Sequence, residues 1–74
     1  MKQALLTVID SNSSECPAGS RVTGYSTEDG LVELAGHNVE DVTYYAARQY
    51  VHVHTALGYR FTISVADYHQ LVAE

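Results

Sequence analysis

The chain has 74 residues, a formal charge of −5 and a pI near 5.1, with nine acidic residues against Lys2, Arg21, Arg48 and Arg60. This length makes one domain, residues 1–74, close to the lower limit for an unaided hydrophobic core. Four dispersed basic residues cannot form a phosphate-tracking stripe, which argues against direct nucleic-acid binding. No apolar run approaches the roughly 20 residues of a membrane span, and the apolar stretch after Met1-Lys2-Gln3 is too short for a signal peptide. Cys16 is the single cysteine. It excludes an internal disulfide and suits a reducing compartment, so a cytoplasmic location is expected.

In chain order, the branched apolar run Ala4 to Ile9 predicts a buried strand that ends at Asp10. Residues 11–20, rich in Ser, Asn, Pro and Gly, read as a mobile loop, long for so small a domain. Cys16 precedes Pro17 there and lacks a neighbouring cation to lower its pKa, which makes it a bystander. Arg21 to Tyr25 and Leu31 to Leu34 predict two strands, joined by a turn that ends in Asp29-Gly30.

The segment Asn38 to Gly58 reads as one long helix. Val39, Val42, Ala46, Tyr50, Val53 and Leu57 recur at spacings of three and four, the stripe of a cylinder with 3.6 residues per turn. Asn38 is placed to cap the start, Glu40 and Asp41 complement the dipole, and Gly58 can close the last turn. A strand reading of the second half competes, because Val51 and Val53 alternate with Tyr50, His52 and His54. In that case Tyr50 to Thr55 would pair with Tyr59 to Ser64 around Ala56, Leu57 and Gly58. The agreement of both caps with the stripe favours the continuous helix.

Beyond Gly58, Tyr59, Phe61 and Ile63 alternate with Arg60 and Thr62, which predicts a strand with one buried face. Ser64 followed by Asp67 predicts the cap of a short terminal helix. The expected fold is therefore α+β in the order βββαβα. A small four-stranded, mostly antiparallel sheet carries one long helix on one face, with a short C-terminal helix.

The expected function follows from the solvent side of the long helix. Tyr44, Tyr45, Arg48, Val51 and His52 fall there, where Lys, Glu and Gln are usual, and Tyr and Arg are interface residues. A non-enzymatic module that modulates or inhibits a larger protein partner is the leading reading. Small regulators and inhibitors encoded by phages or plasmids share this size and acidity. A homodimer using the same face is an alternative.

A further alternative is a metal or small-ligand site on His52 and His54. Two residues apart on a strand they share a face and could hold zinc with a third donor such as His69, His37 or Asp67; on a helix they diverge. Ser64, Asp67 and His69 contain the residue types of a hydrolase triad, but no glycine-flanked nucleophile elbow surrounds Ser64. No enzymatic activity and no cofactor are expected.

Overall fold

The computed structural model describes residues 2–72 and is mostly β. Seven strands are formed: β1 (Lys2–Thr7), β2 (Asp10–Ser11), β3 (Arg21–Thr27), β4 (Gly30–Leu34), β5 (His37–Tyr45), β6 (Tyr50–Thr55) and β7 (Arg60–Ser64). A 3-10 turn, Ala46–Arg48, separates β5 from β6, and one helix, α1 (Val65–Val72), ends the described chain. The strands pair antiparallel in the order β1-β3-β4-β5-β6-β7-β2 and curl into a half-barrel. The expected four-stranded sheet under a long helix is thus corrected: residues 38–57 form a β-hairpin.

The composition of that segment explains the outcome. Val, Thr, Tyr, His, Asn and Asp dominate it, and these are weak helix formers, while Val, Thr and Tyr fit a pleated surface well. The only run of strong helix formers is Ala46-Ala47-Arg48-Gln49. Four residues are too few to propagate a helix, and they make the turn between the strands. Gly58 does take a left-handed conformation, φ +87°. It closes the β6–β7 turn, where its N–H donates to the Thr55 carbonyl at 3.1 Å.

The curl arises because one chain segment serves both edges of the sheet. β1 and β2 are separated only by Val8 and Ile9. The Val8 N–H donates to the Ser20 carbonyl beside β3 (2.8 Å), and the next N–H, of Ile9, donates to the Thr62 carbonyl on β7 (2.7 Å). Adjacent residues of an extended chain aim their N–H groups in opposite directions. A single strand can therefore join the two edges. The segment after β2 is tied by short-range bonds, from the Ser13 N–H to Ser11 Oγ (2.8 Å) and from the Gly19 N–H to the Val8 carbonyl (2.7 Å).

The concave side holds the core. Leu6, Leu34, Val51, Val53, Phe61 and Ile63 are each 0% exposed. α1 lies over this core and buries Val65 and Leu71. Ser64 caps it as the sequence predicts, its Oγ accepting from the Asp67 N–H at 3.0 Å. At the far end the Ser26 hydroxyl, itself buried, donates to the Leu71 carbonyl at 2.6 Å. One of the carbonyls a helix end leaves unpaired is thereby satisfied. No helix among the described residues is long and apolar enough to cross a membrane.

The β4–β5 turn carries local strain. Leu34 pairs with His37 across Ala35 and Gly36, whose φ values are +54° and +82°. Two positive φ values mark the type I′ hairpin, which prefers Asn-Gly, and alanine pays about 1 kcal/mol for the left-handed region. Ala35→Asn is expected to stabilise the domain by about 1 kcal/mol, a rise in melting temperature of about 4–8 °C at this size. Thermal unfolding followed by circular dichroism measures it.

Candidate functional site

The β5–β6 hairpin positions the residues singled out in the sequence. Its register places Tyr45 opposite Tyr50, Tyr44 opposite Val51, Thr43 opposite His52, Val42 opposite Val53 and Asp41 opposite His54. Side chains alternate across a strand. Val51 and Val53, fully buried, mark the inner side. Tyr45, Tyr50, His52 and His54 accordingly stand together on the outer, convex side.

These four rings form a continuous row. The Tyr45 and Tyr50 centroids are 5.3 Å apart, Tyr45 and His52 4.9 Å, and Tyr50 and His52 5.0 Å, the last pair nearly parallel at 19°. His54 extends the row at 6.5 Å from His52. These separations are those of interacting aromatic pairs, which favour offset or tilted contacts. Tyr45 remains 41% exposed. Beyond the row, β7 contributes Arg60, whose Nη2 lies 3.6 Å from Asp10 Oδ2 on β2. The Arg60 Nε is buried with no acceptor among the described residues.

The electrostatics of the row centre on His52. Desolvation beside its neighbours lowers its pKa below the usual histidine value, helped by the positive charges of Arg60 and His54 and opposed by Asp10. Its imidazole is held toward the neutral form.

The expected five-residue patch is divided by the sheet. Tyr45 and His52 lie together on the outer side. Tyr44 faces the other side, with its ring 6.3 Å from Tyr68 and 6.2 Å from His69 of α1. Val51 is buried, and Arg48 is exposed in the 3-10 turn.

The strand geometry does bring His52 and His54 to one face, but none of the expected third donors joins them. His69 stands beside Tyr44. His37 packs 4.9 Å from Tyr59, and the Asp67 Oδ2 accepts from the Thr7 N–H at 3.3 Å. Among the described residues no three His, Cys, Asp or Glu side chains stand close enough to hold a metal ion. Two members of the outer face were missed in the sequence. Tyr50 fell on the supposed buried stripe, and Arg60 was read only as the polar partner in an alternating strand. The alternation of Tyr50, His52 and His54 was the signal for the first; cross-strand register places the second. Compared with protein families, curated proteins and solved structures, the chain matches none.

Proposed function

We propose that this chain is a small, non-enzymatic interaction module that engages a protein partner through the outer face of the β5–β6 hairpin. The observation that carries the reading is the unbroken outward row Tyr45, Tyr50, His52 and His54 on a sheet whose inner side already holds the core. Cross-strand contacts among the rings contribute about 0.2–1 kcal/mol per pair to the sheet, and the exposed remainder of each ring is free to contact a partner. Tyr and Arg offer contact area with a polar tip, and such groups dominate binding energy at interfaces. Arg48, exposed in the turn that ends the same hairpin, adds a planar donor fork. The lone cysteine fits a reducing compartment and supports a cytoplasmic placement. Modulation or inhibition of a larger protein is the role this small face suits.

The test pairs the wild type with Tyr45→Thr, Arg48→Glu, a variant changed only at exposed positions outside the core, with β-branched Thr suited to the strand. Melting temperatures are expected to agree within a few degrees. Tagged wild-type protein is expected to retain a partner from lysate of its source or host. The variant is expected to lose it, by about 2 kcal/mol or more, the scale of an interface hot spot. A partner held equally by both would remove this face from the reading. Capture of nothing but further copies of the chain, with a dimer in sedimentation, would reassign it to self-association.

A further inference from the structure

We propose that His52 and His54 form a two-imidazole chelate for a divalent transition-metal ion such as zinc, with water completing the coordination. Both residues point outward from β6, which is hydrogen-bonded to β5 on one side and β7 on the other. The pair is therefore mounted on an interior strand, where the backbone cannot swing. Their ring centroids lie 6.5 Å apart. Two imidazoles bound to one tetrahedral ion at Zn–N distances of about 2.0–2.1 Å would have centroids about 5 Å apart. Side-chain rotation is required to close a difference of about 1.5 Å.

The nitrogens are available. No hydrogen bond among the described residues engages either imidazole, and the neighbours of His52 are the ring faces of Tyr45 and Tyr50. Carboxylates flank the pair and partly offset the nearby cation. Asp41 stands across the strand from His54, and Asp10 offsets Arg60, the nearby cation. The chain's net charge of −5 further favours a cation over an anion. With only two protein donors the site is open, unlike the closed four-donor sites that organise folds. It would bind an ion without being needed for folding.

This assignment does not rest on the protein-contact reading, since it is measured on the isolated chain and its failure leaves that reading intact. Zinc chloride is titrated into the protein while the imidazole proton resonances of all four histidines are followed. His52 and His54 are expected to shift together and saturate at one ion per chain, with His37 and His69 unmoved. His52→Gln or His54→Gln is expected to weaken binding about tenfold or more, because the second coordination step is then no longer intramolecular. Absence of any shift at millimolar zinc, a shift confined to His37 or His69, or a folded single variant that binds as the wild type does would each overturn the proposal. The wild-type resonance pattern decides alone if a variant fails to fold.

Discussion

Val51→Asp is expected to unfold the domain. Val51 is 0% exposed and sits on the inner face of β6, opposite Tyr44 and beside Ile63 of β7. Aspartate there forfeits about 1.5 kcal/mol or more of apolar burial. It also places a carboxylate in the core with no partner, at about 3–5 kcal/mol for an uncompensated charge. Domains have about 0.05–0.15 kcal/mol of stability per residue, or about 4–11 kcal/mol for this length. The substitution therefore consumes most or all of the margin. Loss of amide dispersion and of a cooperative melt is the expected result. The outward Tyr45→Thr, Arg48→Glu variant should keep both. A folded Val51→Asp protein with an unchanged melting temperature would mean that Val51 faces solvent, as a helix over 38–57 would have it.

The reason that helix was persuasive lies in the β-bulge of β5, a feature that β4 repeats outside the segment. In a regular strand, buried positions recur every second residue. At Glu40 the β5 register shifts, so that Val39 and Val42 both face inward although three residues apart. The same occurs in β4, where Leu31 and Leu34 are both buried across a register shift opposite Tyr25 and Ser26. An inserted residue turns a period of two into a local spacing of three, which imitates a helical face. Asn38 and Gly58 reinforced the imitation. Gly58 uses the expected property in another role, supplying the positive φ of a turn, whereas Asn38 acts only through its backbone carbonyl, which accepts from the Ala56 N–H at 2.9 Å.

Where no bulge intervened, the pattern was readable. Phe61 and Ile63 are buried along β7 and Ser64 caps α1 as their spacing implies, although Thr62 between them is buried as well rather than facing solvent. The short alternation Tyr50-Val51-His52-Val53-His54 was also a true signal. It lost to a longer apparent period that was assembled from a bulged strand and a turn. The candidate site inherits this ambiguity directly. Tyr45 and His52 share a face on either reading, whereas Tyr44 and Val51 change sides, because strand alternation separates neighbours that a helix wheel groups. Arg60 enters the site through pairing across β6 and β7, with His54 opposite it. Such pairing is a relation between distant segments that no local periodicity encodes.

Leu71→Ala should cost about 2–5 kcal/mol, the usual loss for truncating a buried leucine, and Gly24→Ala should return part of it. Leu71 is 2% exposed and joins α1 to the sheet directly above Gly24 of β3. A Cβ at position 24 would stand 2.8 Å from Leu71 Cδ1, 3.1 Å from Leu6 Cδ1 and 3.3 Å from Leu34 Cδ1. In the wild-type background Gly24→Ala must displace three packed leucine tips at once, and overpacking costs about 1–3 kcal/mol. The cost is moderated because side-chain ends yield more easily than backbone. With Leu71 cut back to alanine, the same methyl enters the space just vacated. The Ser26 hydroxyl still holds the carbonyl of residue 71, so the helix end stays in place. Chemical denaturation of the two single variants and the double variant should therefore show a favourable coupling of about 0.5–3 kcal/mol, as residues in contact do. Strict additivity would mean that Leu71 does not pack on Gly24, and that α1 covers the half-barrel in some other way.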